Sequence, residues 1–224
     1  KFEEEAAELL GVEYALMVNS GTSALIGALT GVGVGPGDEV IVPGYTYIST
    51  AAAVMATGAV PVIAEIDESL GLDPEDFERK ITPYTRAVVP VHMRGVPARL
   101  DDILAVARAH DLKVVEDCCQ CVGGSYKGRQ VGTYGDAGAW SLNFYKTITS
   151  GEGGLVYTND RDIYERACFT ADPGLPMWNV GQEDPEWRNE PFPRQTYRPS
   201  VVLAAIARAQ LAKIEDILGH QRAM

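Results

Sequence analysis

Apolar and polar positions alternate along the chain in blocks, some with the period of helices and some running on as strands. Phe2 to Leu10 places apolar residues on one face and glutamates on the other, which predicts an amphipathic helix. Tyr14 to Val18 is a short, continuous apolar run and reads as a strand. The pattern then predicts a helix over Thr22 to Leu29 and a strand over Asp38 to Pro43, introduced by a Pro36–Gly37 turn. A helix over Tyr47 to Thr57 and a strand over Ala59 to Ile66 follow. Asp73 and Pro74 open a short helix to Lys80, as a capping carboxylate followed by proline should. Arg86 to His92 reads as a strand, Leu100 to His110 as a helix, and Leu112 to Asp117 as a strand.

Continuous apolar strands separated by helices imply an α/β fold, a mostly parallel sheet sandwiched by helices. Beyond Asp117 the pattern changes. Ser125 to Gly135 has the polar turns of hairpins, and Gly138 to Asn143 and Gly153 to Asp160 read as two further strands. A helix is predicted over Asp160 to Phe169 and a last one over Val201 to Leu218. Between them, Ala171 to Arg198 is rich in Pro, Trp and Asn and reads as a long irregular loop, a length that usually serves function or stays disordered.

Composition narrows the possible functions. With 224 residues, 46% of them hydrophobic, the chain can bury one large core. Its net charge of −12 argues against nonspecific binding to nucleic acid or to an anionic membrane, and its 19 Lys and Arg form no basic stripe. The acidic start KFEEEAAELL is unlike a signal peptide. The most apolar stretch, Ile48 to Ile66, is interrupted by Thr57, Gly58 and Pro61 and suits a buried helix and strand better than a membrane span. Cys118 and Cys121 have CxxC spacing, but no second pair or neighbouring histidine in sequence completes a zinc set. Small buried side chains are the plainer reading, beside redox and metal roles. A reducing cytoplasm is the expected location.

In open α/β sheets ligands sit beyond the carboxyl ends of the strands. That rule selects NSGTS (19–23), PGYTY (43–47), VHMRG (91–95), EDCCQ (116–120) and LNFYKT (142–147). Gly21 permits a tight turn, and Thr22 and Ser23 offer backbone N–H groups at a helix start, either as an anion site or as an ordinary cap. Asp117 ends an apolar strand, where it either caps the next turn or faces a cation, and Gln120 leaves the same turn. Tyr47 either stacks on a ring or packs in the core. Lys146 stands among aromatic residues and glycines in WSLNFYKTITSGEGG. It is either a snorkelling or paired lysine or, because desolvation disfavours the ammonium form, a candidate for Schiff-base chemistry. Ser141 adds a hydroxyl five residues earlier.

A phosphate-binding helix start, a buried carboxylate, an aromatic face and an isolated lysine are together the parts that pyridoxal 5′-phosphate (PLP) requires. The segments NSGTSAL, PGDEVIVPGYTYISTAAAV, GAVPVIAEID, VPVHMRG, VVEDCCQCVGGSYKGRQ, NFYKTITSGEGGLVYTND and AAIARAQLAKI, in this order, resemble the DegT/StrS-type sugar aminotransferases, which are fold-type-I PLP enzymes. The resemblance implies that residues 1–224 are the PLP-binding large domain, without the smaller C-terminal domain of the family. It implies Lys146 as the Schiff-base lysine and proton shuttle, Asp117 as partner of the pyridine nitrogen, Gln120 beside the ring hydroxyl and Tyr47 stacked on the ring. Thr22, Ser23 and Ser141 fall at the phosphate, and the cysteines of EDCCQC stand where alanines are common.

The implied reaction moves an amino group from L-glutamate or L-glutamine to a keto sugar, typically a nucleotide-linked keto-deoxyhexose, for polysaccharides or glycosylated natural products. A keto-cyclitol is the alternative acceptor. Deoxysugar 3-dehydratases of the same cofactor class carry His in place of the lysine, so Lys146 argues against them. A third possibility is a PLP-binding or dimerising domain without turnover. A homodimer is implied. Thr196 stands where many members place an Asn that reaches the neighbouring subunit's phosphate, and Pro199 follows it. Arg94 and the 171–198 loop are candidates for contact with the acceptor.

Overall fold

The computed structural model describes residues 1–172 and 194–223. In chain order the main elements are α1 (Phe2–Leu10), β1 (Tyr14–Val18), α2 (Gly21–Gly31), β2 (Glu39–Pro43), α3 (Ser49–Ala56), β3 (Val60–Ala64), α4 (Pro74–Arg79), β4 (Thr85–Val88), α5 (Leu100–Ala109) and β5 (Lys113–Asp117). A two-stranded hairpin, β6 (Ser125–Tyr126) and β7 (Arg129–Gln130), follows. The chain continues with β8 (Ala137–Ser141), β9 (Gly154–Thr158), α6 (Arg161–Ala171), α7 (Val201–Leu211) and α8 (Ile214–Arg222).

Seven strands form one sheet in the order β1-β9-β8-β5-β4-β2-β3. The pairs β2–β3, β2–β4, β4–β5 and β5–β8 are parallel, whereas β9 runs antiparallel to both β8 and β1. The strands alternate their side chains between two cores. Ile41 and Tyr157 join the cluster that includes Phe2, Ile103 and Leu211 from α1, α5 and α7. Val40, Val42 and Val156 join the opposite cluster with Ala24, Val54 and Ala167 from α2, α3 and α6. Both faces are therefore covered, and the continuous apolar runs follow from that.

Several boundaries differ from the sequence pattern. β4 stops at Val88, because Pro90 has no N–H to donate to the ladder; Val91 rejoins through a single bridge to Asp117. Ser125 to Gly135 holds one hairpin. The predicted helix Val201 to Leu218 is two helices, broken where Lys213 turns to φ −104° and ψ 0°. Buried Ala207, Leu211, Ile214 and Leu218 keep one helical stripe across the break, so the spacing carries no sign of it. The 48–66 stretch is less buried than its composition suggests: Ile48 is 72% exposed at the N-cap of α3 and Met55 66% exposed on α3, and Val60 55% and Ile63 51% exposed on β3, which is an edge strand. Among the described residues no helix is long and apolar enough to cross a membrane. Of the irregular 171–198 segment, residues 173–193 lie outside the described residues.

Candidate functional site

A cavity of about 510 Å³ opens at the carboxyl ends of the central strands. Thr22, Tyr47, Asp117, Gln120, Ser141 and Lys146 all line it, together with Ser20, Gly21, Thr46, Ser49, Thr50, Cys119, Asn143, Tyr145 and Glu152. Six of the seven residues selected from the sequence thus meet in one place.

The helix start comes first. Ser20 is the N-cap of α2, and its Oγ accepts the Ser23 N–H at 3.1 Å. Gly21 and Thr22 occupy the first turn, where N–H groups have no partner within the helix and suit an anion. Ser23 departs from expectation. Its N–H is taken by Ser20, its hydroxyl donates to Asn19 Oδ1 at 2.6 Å, and its side chain is buried away from the cavity. The helix reaches the cavity only because its first residue is glycine: a Cβ on Gly21 would lie 2.6 Å from Ser141 Cβ. The last glycine of GEGG does the same from below, since a Cβ on Gly154 would lie 2.2 Å from the Ser20 carbonyl oxygen. Gly154→Ala is therefore expected to cost about 1–3 kcal/mol by overpacking. A lowered thermal midpoint is the check, and an unchanged one would mean that Ser20 yields freely.

Asp117 lies at the end of β5 and is 4% exposed. Its Oδ1 accepts the Cys119 N–H at 3.0 Å, capping the next turn, and its Oδ2 accepts the Thr50 hydroxyl at 2.8 Å. The two readings of this residue are compatible, because the carboxyl caps a turn and also lines the cavity. Tyr47 is 65% exposed on the cavity rim, so it is not a core residue.

Lys146 sits in the connection between β8 and β9, half-buried. Its N–H donates to the Asn143 carbonyl at 3.0 Å. The loop is closed at its base by Leu142 N–H to Gly153 O at 2.8 Å and Ser150 N–H to Leu142 O at 3.0 Å. Asn143 Nδ2 donates to Glu152 Oε1 at 2.9 Å across it. Among the described residues no ion pair involves the Lys146 amine. Nearby, burial pushes the Cys119 thiol well up, followed by repulsion from Asp117, while the positive charge of Lys146 works the other way.

The remaining cysteines behave as small apolar side chains. Burial, then the Glu116 charge, pushes Cys121 up to about 11, and burial pushes Cys168 up to about 12. Cys118, His92 and Glu116 approach closely enough to resemble a metal cluster. Their hydrogen bonds supply another account. Glu116 accepts from the N–H groups of Gly132, Tyr134 and Gly135, each at 2.7 Å, and from His92 Nε2 at 2.9 Å. His92 Nδ1 accepts the Ala98 N–H at 3.0 Å, so the proton must be on Nε2, where it meets Glu116. The carboxylate is fully used as a structural hub. VHMRG accordingly gives the cavity only Val91, and Arg94 lies outside the lining with its Nε on the Tyr45 hydroxyl at 3.2 Å. Thr196 is exposed, beside Tyr197, whose carbonyl accepts the Asn19 N–H at 2.8 Å.

The arrangement fits the cofactor expected from the sequence. The N–H groups at the start of α2 and Ser141 suit a phosphate, the Asp117 oxygens suit a protonated ring nitrogen, and among the described residues the Lys146 amine makes no ion pair. Thr50, Ser49, Cys119 and Glu152 had not been selected, and only Cys119 lay within a segment marked by strand ends.

Comparison with known proteins agrees. The model of the DegT/DnrJ/EryC1/StrS aminotransferase family matches residues 1–224. The chain is 40% identical over 223 residues to a GDP-perosamine synthase of Escherichia coli O157:H7, covering 99% of this chain and 59% of that protein. It is 45% identical over 174 residues to a putative L-glutamine:3-amino-2,3-dideoxy-scyllo-inosose aminotransferase of Streptoalloteichus tenebrarius, covering 77% of this chain and 42% of that protein. The crystal structure of an aminotransferase from Psychrobacter cryohalolentis superposes with a TM-score of 0.86 at 37% identity, over 96% of this chain and 56% of that one. The chain thus spans less than two thirds of the length of these relatives.

Proposed function

The chain belongs to the DegT/DnrJ/EryC1/StrS aminotransferase family, and we propose that it is the PLP-binding large domain of a sugar aminotransferase. It moves an amino group from L-glutamate or L-glutamine to a keto sugar, typically one carried on a nucleotide. The observation that carries this reading is the convergence of Lys146, Asp117, Ser141 and the start of α2 on one cavity.

Bound PLP supplies an aldehyde that forms an imine with an amine, and a ring that accepts the electron pair left when a proton is removed. The chain's own residues do the rest. The N–H groups of Gly21 and Thr22 and the Ser141 hydroxyl hold the phosphate. Asp117 would hold a proton on the pyridine nitrogen. Tyr47 and Gln120 line the same cavity, where Tyr47 would offer its face to the ring and Gln120 its amide to the ring hydroxyl. Lys146 Nζ would be the amine that holds the cofactor and the base that would carry a proton between the donor α-carbon and the carbon across the nitrogen from it. The likeness to GDP-perosamine synthase supports a nucleotide-linked acceptor, and the scyllo-inosose relative supports a cyclitol with glutamine as donor.

We place the activity in a homodimer. Exposed apolar side chains at the edge strand β3, Val60 and Ile63, and on α3, Met55, leave apolar surface for a second copy to cover. A cytoplasmic location fits a biosynthetic enzyme of this kind.

Titration of the protein with PLP tests the reading. A visible absorbance band is expected, and L-glutamate or L-glutamine should bleach it. A chain that develops no band does not carry the cofactor, and a band indifferent to both donors would favour the domain without turnover.

A further inference from the structure

The first turn of α3 touches the candidate site at both ends. Ser49 Oγ accepts the Thr22 hydroxyl at 2.9 Å, beside the helix start proposed for the phosphate. Thr50, one residue on, donates its hydroxyl to Asp117 Oδ2 at 2.8 Å, at the end proposed for the ring nitrogen. Thr50 is 1% exposed and Asp117 4%, so water does not compete for this bond. The Thr50 N–H is itself fixed on the Tyr47 carbonyl at 3.0 Å. A third hydroxyl completes the chain, because Thr46 Oγ1 lies 2.7 Å from Thr50 Oγ1.

A threonine hydroxyl has one proton. Thr50 gives its proton to Asp117, so in the 2.7 Å contact Thr46 must be the donor. The direction is thus Thr46 to Thr50 to Asp117, and each bond polarises the next. The carboxyl torsion of an aspartate is soft. The Cys119 N–H on Oδ1 pins one oxygen and leaves the plane free to turn; the second bond fixes it.

We propose that Thr50 is the positioning residue of Asp117, setting the plane in which its carboxylate meets the ligand, and that Thr46 orients the Thr50 hydroxyl. This rests on the cofactor reading above. It adds a requirement that nothing in the Lys146 and Asp117 segments expresses: the loop bearing Tyr47 and the carboxylate of β5 are set by one hydrogen-bonded chain.

The test compares Thr50→Val, which keeps the shape and removes the hydroxyl, with Thr50→Ser, which keeps the hydroxyl. In PLP titrations, Thr50→Val is expected to raise the dissociation constant about tenfold or more, as loss of a bond to a charged group should. Thr50→Ser should stay within about threefold of the parent, since its donor remains. In an Asp117→Asn background the additional effect of Thr50→Val should shrink to about twofold or less, because the two residues act through one contact. Parent-like affinity in Thr50→Val, equal losses in the Ser and Val variants, or full additivity with Asp117→Asn would overturn the assignment. Thr46→Val, on the cavity side, should weaken PLP by about threefold through the same chain; no change there overturns the role of Thr46. A parent that takes up no PLP would defeat the cofactor reading instead. The contact is then read in the protein alone, from the Asp117 carboxyl carbon resonance. Thr50→Val should shift it, and an unmoved resonance overturns the positioning role.

Discussion

Replacing Lys146 with alanine is expected to abolish the visible absorbance band of the PLP-loaded protein and to lower transamination by about a thousandfold or more. Two losses combine. The amine that would bond the cofactor is removed, and so is the base that would carry a proton between two carbons. The remaining cavity should survive, because the loop is held through Leu142, Asn143, Ser150 and Gly153 and not through the lysine side chain. The variant should therefore fold, melt close to the parent and still take up PLP without covalent attachment. Borohydride reduction followed by peptide mass analysis gives the direct check: the parent should carry the cofactor on Lys146 and the variant nowhere. Transamination within tenfold of the parent would remove Lys146 from the chemistry.

Glu116→Ala is expected to be the most damaging substitution for stability, at about 3–5 kcal/mol. Alanine would leave the N–H groups of Gly132, Tyr134 and Gly135 and the Nε2–H of His92 facing a void, with His92 fully buried and Tyr134 and Gly135 partly so. Each orphaned donor costs about 1–3 kcal/mol. Glutamine is no rescue, because its amide nitrogen would confront a donor wherever it is placed. Urea denaturation of the parent and both variants measures this. An alanine variant within about 1 kcal/mol of the parent would show that water replaces the carboxylate.

The fold was largely readable because the central strands are buried on both faces. Runs such as Val40–Val42 and Val114–Val115 need no alternation to be recognised. The site was readable where chemistry interrupts such a run or follows it: Asp117 after Val115, and Lys146 among aromatic residues. Thr50 left no trace, because a threonine in an alanine-rich helix looks like any other and its role depends on a residue 67 positions away. Glu116 carried a signal, a charge inside an apolar strand, but only its neighbour Asp117 stands at the strand end where ligands are expected. In the strand the two point to opposite faces, one into the cavity and one into the hub. Ser23 showed the converse. It sits in a recognised helix start, yet capping geometry gives its donors to Ser20 and Asn19. The break at Lys213 escaped because alanine and lysine both favour helix.

The reversed strand β9 governs how far the lysine can wander. Because β9 runs against β8, the chain leaves the sheet at Ser141 and returns at Gly154 at the same end of the strands. A parallel successor would have taken the chain to the far end of the sheet, and Lys146 would hang from a single attachment. Fastened at both ends, the loop confines the amine to a small volume above the strand ends. The amine therefore meets anything held in the cavity as an intramolecular partner, at an effective concentration far above that of a lysine free in solution.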